Sequence, residues 1–181
     1  GLLGVLVNAV VRPLDNPWLD RWVFRQRVRF GQGVISKRRS PLATAIGYLR
    51  AGKNVVLLAD QRPRKHFVTV NFLGIPTATT IAPAVLSVRT GSPVVPACAI
   101  RTETPNQLLV LLGDPIYPNC RRSDREAEIQ RITQEFTQIL EGWIRLYPEQ
   151  WNWLHRRWPK PEYKTLAPPR RPAEFSRRFA S

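Results

Sequence analysis

The residues best suited to chemistry follow a short aliphatic run. The segment NVVLLAD, residues 54–60, contains five consecutive apolar residues and ends in the carboxylate of Asp60. The polar residues after it offer hydrogen-bond donors and positive charge: Gln61, Arg62, Arg64 and Lys65. Because open α/β sheets build sites beyond the carboxyl ends of their strands, we predict that Asp60 and Gln61 bind a polar substrate group. The alternative is that Asp60 pairs with nearby arginines and only orders a loop.

Two side chains near the start of the chain are further candidates for substrate binding. Arg12 follows an apolar segment and precedes Pro13, so its guanidinium could hold a phosphate or carboxylate through two hydrogen bonds, or only cap a turn. Asn16 precedes Pro17 and could contact substrate, or serve as a turn residue or helix N-cap. We predict substrate binding by both and leave these alternatives open.

The segment PEQWNWLHRRW, residues 148–158, brings three tryptophans together with two arginines. Tryptophan favours the headgroup level of a bilayer, and arginine attracts anionic lipid. We predict membrane contact by five of these residues: Trp151, Trp153, Arg156, Arg157 and Trp158. In the alternative, the rings pack inside the protein; we favour packing for at least one tryptophan and lipid contact for the arginines.

Several other kinds of site are not indicated by the sequence. Its two cysteines lack CxxC spacing and nearby histidines, so no zinc site is predicted. GxSxG and GxGxxG are missing from the sequence, and so is GxxxxGK followed by Ser or Thr, which argues against a serine nucleophile elbow and a nucleotide-phosphate loop. His66 lies in a basic loop and is predicted to be exposed. We therefore predict no metal and no cofactor.

Composition favours a folded domain with a polyanionic partner. The chain has 181 residues, 43% of them hydrophobic, which is enough for a core. Its 28 Lys and Arg against 13 Asp and Glu give a formal charge of +15, which suits nucleic acid, an anionic membrane surface or a phosphorylated substrate. The sequence has no methionine, and Gly1 lies in an apolar run. We expect the beginning of the domain to lie before Gly1.

Hydrophobic periodicity predicts an α/β fold with a mixed, mainly parallel sheet flanked by helices. Helices are predicted at residues 16–30 (amphipathic), 41–51 (closed by Gly52), 79–91 and 123–146 (opened by a capping box of Ser123 and Glu126). Strands are predicted at residues 2–11, 54–60 (central in the sheet), 68–74, 92–101 and 107–117. We assign residues 1–166 to one domain and residues 167–181 to a basic, proline-rich tail that we expect to be disordered.

Five segments together resemble the bacterial lipid A lauroyl/myristoyl acyltransferases, within the lysophospholipid and glycerophosphate acyltransferase superfamily. They are RPLDNP (12–17), NVVLLADQ (54–61), VNFLGIPTATT (70–80), SPVVP (92–96) and PEQWNWLHRRW (148–158). The resemblance runs over residues 5–160 and implies a glycerophosphate acyltransferase-like fold. It also adds Arg39 as a substrate-binding residue, by its distance from Gly52.

The resemblance implies a peripheral enzyme at the cytoplasmic face of the inner membrane. Its acyl donor would be an acyl carrier protein or coenzyme A thioester, and its acceptor the hydroxyl of a lipid A precursor or lysophospholipid. The family's base is a histidine in an HxxxxD/E motif upstream of the RPxxN segment. Here His66 is followed five residues later by Asn71, and His155 by Lys160. We therefore predict no catalytic residue in this chain and expect it to be inactive in this form.

Two other functions compete with the transferase. A relative or fragment without catalytic residues would bind lipid or a partner without turnover. A nucleic-acid-binding module would use the same charge and aromatic rings, but no RNP-like, KH or helix-turn-helix pattern is present in the sequence. We therefore predict no nucleic-acid partner.

Overall fold

A three-stranded parallel sheet is formed by the first half of the chain. The computed structural model describes residues 7–11, 14–29, 31–36, 40–119 and 124–159. Strands β1 (Val7–Val11), β2 (Gly33–Ser36) and β3 (Asn54–Val56) pair in the order β2-β1-β3. Both pairings are parallel. Each is connected through a helix, as parallel neighbours require.

The helices of this first half are α1 (Pro17–Arg29) and α2 (Pro41–Arg50), and both were predicted from the sequence. Asn16 begins α1, because its Oδ1 accepts hydrogen bonds from the backbone N–H groups of Trp18 and Leu19 at 2.9 and 3.2 Å. A proline at the first position starts each helix, where its missing N–H costs nothing. Gly52 follows α2 with a φ of +71°, which favours glycine.

The aliphatic run after Gly52 is predicted to form a central strand, but the structure shows otherwise. Only Asn54–Val56 pairs in the sheet, and it lies at the edge because β1 occupies the centre. Residues 57–60 continue without strand pairing, and Leu58 is 77% exposed. The aliphatic run is therefore used to line a cavity rather than to fill the middle of a sheet.

Two antiparallel hairpins account for the remaining strands. β4 (Phe67–Phe72) pairs with β5 (Ile75–Thr80), and β6 (Ala97–Arg101) pairs with β7 (Leu108–Leu112). The first hairpin turns at Leu73 and Gly74, whose φ angles of 54° and 86° suit the right-handed twist of its strands. The α/β class is thus confirmed, but parallel pairing stops after β3, because no helix lies within either hairpin.

The core forms where α3 (Ala82–Thr90) and α4 (Arg125–Leu146) pack together. Ala84 of α3 contacts a cluster that includes Ile116 and, from α4, Ile132 and Phe136, all at most 3% exposed. The apolar spacing of α4 predicted this face correctly. A short 3-10 helix (Pro148–Gln150) follows α4 and leads into the final described segment, residues 151–159.

The cap of α4 is one residue away from the predicted capping box. Asp124 is the N-cap, and its Oδ1 accepts hydrogen bonds from the N–H groups of Glu126 and Ala127, both at 3.0 Å. An aspartate also interacts favourably with the positive end of the helix dipole. Ser123 and the proposed tail, residues 167–181, lie outside the described residues.

Replacing Asp124 by Ala should lower the free energy of unfolding by about 1 kcal/mol, because two N–H groups lose their acceptor. Asp124→Asn keeps an acceptor and should cost less. Denaturant unfolding followed by circular dichroism measures both. A larger loss in Ser123→Ala than in Asp124→Ala would contradict this assignment of the cap.

Candidate functional site

An apolar cavity of about 490 Å³ lies between the segment after β3, strand β6 and the two core helices. Residues 55–60 line one side and residues 92–100 another. Side chains from the helices complete the wall: Leu49, Pro83, Leu86, Phe136, Leu140, Trp143 and Ile144. The lining is predominantly aliphatic and aromatic, so the cavity suits an apolar ligand.

Two polar atoms on this cavity are buried without a hydrogen-bond partner among the described residues. They are Oδ1 of Asp60, an acceptor, and Nε1 of Trp151, a donor. Leaving such a group unpaired costs roughly 1–3 kcal/mol, so this arrangement opposes folding unless a ligand or solvent satisfies it. Both residues line the cavity, but these two atoms themselves have almost no accessible surface.

Arg157 is a buried cation near Asp60. Its side chain is 2% exposed, and its guanidinium donates to the carbonyl oxygen of Ala78 and to Oγ1 of Thr79, both at 2.5 Å. Burial lowers the pKa of Arg157 to about 10, opposed by the negative charge of Asp60 and assisted by the positive charge of Arg62. A lowered pKa means that the fold disfavours the charged form. Hydrogen bonds to β5 and the attraction of Asp60 offset part of this cost.

Arg157 lies in an aromatic cluster made by Phe72, Trp151, Trp153 and Trp158. Its guanidinium carbon stands 5.0 Å from the centre of the Phe72 ring. Trp158 stacks on Phe72 at 5.4 Å and on Trp153 at 6.3 Å between ring centres. Its Nε1 donates to the Phe72 carbonyl oxygen at 3.3 Å. The cluster therefore fastens the segment after α4 to the β4–β5 hairpin.

His155 fixes the loop that follows Asp60. Its Nε2 accepts a hydrogen bond from the backbone N–H of Arg62 at 3.0 Å, which requires that nitrogen to be unprotonated. Nη1 of Arg62 in turn donates to the Trp158 carbonyl oxygen at 3.5 Å. Sequence reasoning gave His155 no role, because its partner lies 93 residues away and no local pattern signals the contact.

The prediction of membrane contact is wrong for Arg157 and Trp158. Both are only 2% exposed and pack against the hairpin, so neither reaches a surface in this fold. The packing alternative is confirmed for Trp158, and the preference for lipid contact fails for Arg157. Trp151 and Trp153 are half-buried and Arg156 is exposed. Lipid contact by these three stays a prediction.

The structure separates the predicted substrate-binding residues. Asp60 lines the cavity, whereas Gln61 is exposed and does not line it. The side-chain oxygen of Asn16 caps α1, which is the structural alternative for that residue, and Asn16 does not line the cavity. Substrate contact by Gln61 and Asn16 stays a prediction. Arg12 and Arg39 lie outside the described residues.

Three further observations concern the exposure of His66, metal binding and membrane-spanning helices. His66 is exposed, as predicted, and has a φ of 55°. Within the described ranges, no group of three or more His, Cys, Asp or Glu residues is placed to hold a metal ion. Among the helices described, none combines the length and the apolar character that crossing a bilayer requires.

Comparison with known proteins gives two matches. Residues 7–160 match the family described as bacterial lipid A biosynthesis acyltransferase. A phosphatidylinositol mannoside acyltransferase of Mycobacterium tuberculosis (strain CDC 1551 / Oshkosh) is 28% identical over 123 residues, which are 66% of this chain and 35% of that protein. The chain therefore aligns with about a third of the length of this relative.

Replacing Arg157 by Met should lower the free energy of unfolding by about 3 kcal/mol, because Ala78 and Thr79 lose a buried donor. Combined with Thr79→Val, the loss should be less than additive by about 1 kcal/mol, since the two side chains share a hydrogen bond. Urea unfolding of the single and double variants measures both quantities.

Arg156→Met is the matched control, because Arg156 is the exposed neighbour with the same side chain. It should leave the free energy of unfolding essentially unchanged. Equal losses in Arg156→Met and Arg157→Met would show that the buried position of Arg157 has no energetic consequence.

Proposed function

Because the chain belongs to the bacterial lipid A biosynthesis acyltransferase family, we propose that its cavity binds the fatty acyl chain that is moved from a thioester to a lipid hydroxyl. The observation that carries this proposal is the predominantly apolar cavity of about 490 Å³. Ligand cavities span roughly 300–1,000 Å³, and each methylene buried in such a wall contributes about 0.8 kcal/mol.

The two unpaired atoms suit the reacting end of the ligands. A hydroxyl group donates one hydrogen bond and accepts others, so an acceptor hydroxyl can donate to Asp60 Oδ1. Nε1 of Trp151 can donate to that hydroxyl or to the thioester carbonyl oxygen. Because both atoms have almost no accessible surface, either contact requires the side chain to turn toward the cavity, where it would pair a group that lacks a partner among the described residues.

The substrates follow from the family and from charge. We propose an acyl carrier protein or coenzyme A thioester as donor and a phosphorylated lipid as acceptor, such as a lipid A precursor, a lysophospholipid or a phosphatidylinositol mannoside. A chain of charge +15 suits anionic donors and acceptors. Because these thioesters are made in the cytoplasm, the proposed location is the cytoplasmic face of the inner membrane.

Neither histidine of this chain is well suited to the proton transfer that the reaction requires. His66 is exposed, and His155 accepts a backbone hydrogen bond, and neither has an acid five residues later. The proposal is therefore that the chain as given binds acyl chain and lipid without turnover. A longer chain that supplies a histidine and an acid would complete the reaction.

Cys98 gives a direct test of acyl binding, because its thiol is free and lines the cavity. Burial raises the pKa of Cys98, so alkylation is followed at alkaline pH, with mass spectrometry to separate Cys98 from Cys120. Palmitoyl-pantetheine should slow the alkylation of Cys98 severalfold. Acetyl-pantetheine, which lacks the long acyl chain and has no free thiol to consume the alkylating reagent, is the control and should not.

An unchanged alkylation rate at saturating palmitoyl-pantetheine would contradict acyl binding in the cavity. Protection by an oligonucleotide but not by the acyl thioester would favour the nucleic-acid reading instead.

Asp60→Asn tests the acceptor site in a longer chain that carries a histidine and an acid. The amide retains the shape of Asp60 but offers an N–H where the carboxylate accepts, so acyl transfer should fall by about a hundredfold. Because the substitution also removes the negative charge that offsets the burial of Arg157, the free energy of unfolding is measured alongside, and activity is compared under conditions in which parent and variant are both folded. Asp114→Asn, the same substitution at an exposed position that does not line the cavity, is the control. Parent activity in Asp60→Asn would reject this role.

A further inference from the structure

Helix α1 exposes an aromatic and basic face. Trp18 and Trp22 are 78% and 59% exposed, and none of the residues of α1 is buried. Arg21 and Arg25 are also exposed, and the spacing of the four residues places them within one third of the helix circumference. The guanidinium carbon of Arg21 stands 6.0 Å from the centre of the Trp18 ring. We name Trp18, Arg21, Trp22 and Arg25 the α1 face.

The opposite side of α1 faces the protein. Asp20, Val23, Gln26 and Arg27 are half-buried there, and the helix contacts β2. Asp20 is the only acid of the helix, and its Oδ1 accepts a hydrogen bond from the N–H of Leu14 at 2.9 Å. The α1 face is therefore basic and carries no carboxylate of its own.

Exposed tryptophan beside arginine is a combination that matches the bilayer interface. The indole ring gains by leaving water but keeps its N–H near polar headgroups, while the guanidinium pairs with lipid phosphate. Arginine also keeps its charge at the surface as its stem lies on apolar chains. We propose that the α1 face seats this protein on an anionic phospholipid bilayer, with the helix lying along the surface.

Charge favours the bilayer over a protein partner such as a second copy. Each copy carries a formal charge of +15, so two basic faces would repel each other. Burying Arg21 and Arg25 against protein would also require carboxylates to compensate their desolvation. In the part of the chain that the structure describes, three acids of α4 are already engaged by arginines of the same helix: Glu128, Glu135 and Glu141. An anionic leaflet supplies the negative charge without a dedicated partner.

This inference rests on the proposed function, because the bilayer would hold the acceptor lipid. It concerns a surface other than the cavity. The α1 face and the cavity share no residue. The sequence predicted lipid contact by Arg157 and Trp158, which are buried. For α1 it predicted only an amphipathic helix, yet the proposed lipid contact lies there.

Vesicle binding tests the inference. The full chain is mixed with vesicles of phosphatidylcholine and phosphatidylglycerol, and with vesicles of phosphatidylcholine alone, and the bound fraction is measured by sedimentation. Binding should require phosphatidylglycerol and weaken with salt. The double variant Arg21→Gln/Arg25→Gln should lower the partition coefficient roughly 30-fold. Trp18→Ala/Trp22→Ala should lower it at least about tenfold.

Matched controls use exposed residues elsewhere. Leu108 is 61% exposed on β7, and its strand partner Arg101 is exposed on β6. Leu108→Ala/Arg101→Gln should leave the partition coefficient unchanged. Because all substituted side chains are exposed, the circular dichroism spectrum and the unfolding midpoint should match the parent, and a double variant that fails this check is replaced by its single variants.

Parent-like partition in both α1 double variants would overturn the proposal, as would an equal loss in the control. A concentration-dependent dimer that Trp18→Ala/Trp22→Ala abolishes, with vesicle binding unchanged, would assign the α1 face to a second copy.

Protection of Cys98 by palmitoyl-pantetheine separates the two proposals. If palmitoyl-pantetheine protects Cys98 but the α1 variants bind vesicles like the parent, acyl binding is supported and the proposed membrane contact of α1 is rejected. Vesicle binding through α1 without protection gives the opposite result.

Discussion

The organisation of the second half of the chain depends on the contacts of the buried Arg157 guanidinium. It comes from the segment after α4, donates to two oxygens of β5 and lies over the ring of Phe72 on β4. Because a buried cation without partners is costly, the segment and the hairpin must stay together. The same segment supplies Trp151 to the cavity and His155 to the loop after Asp60. The polar groups of the cavity are thus placed by a contact between distant parts of the chain.

Positive charge has two separate uses in this protein. Arg157 is buried and acts inside the fold, where the charge of Asp60 opposes the fall of its pKa. Arg21 and Arg25 are exposed on α1, where they carry the proposed lipid contact. A formal charge of +15 therefore does not describe one uniform surface. Arg157 is a structural cation, whereas Arg21 and Arg25 belong to a basic helix face.

The sequence predicted the features that depend on local spacing. The apolar period of α4 and the proline that begins α2 fold as expected, and Asp60 lines a cavity, although the strand before it ends at Val56. It could not predict features set by distant partners. Arg157 and Trp158 resemble surface residues locally, yet their partners Thr79 and Phe72 lie 78 and 86 residues away. Likewise, the exposure of Trp18 and Trp22 follows from what α1 packs against, which hydrophobic period alone does not define.

We propose that the cavity between α3, α4 and β6 holds a fatty acyl chain. Intermolecular nuclear Overhauser effects between a ¹³C-labelled acyl thioester and the methyl groups of the protein test this occupancy most directly. We expect contacts from the acyl methylenes to Leu86, Leu140 and Ile144, all on the cavity wall. Contacts confined to the aromatic rings of α1, with none to these three residues at saturating ligand, would contradict it.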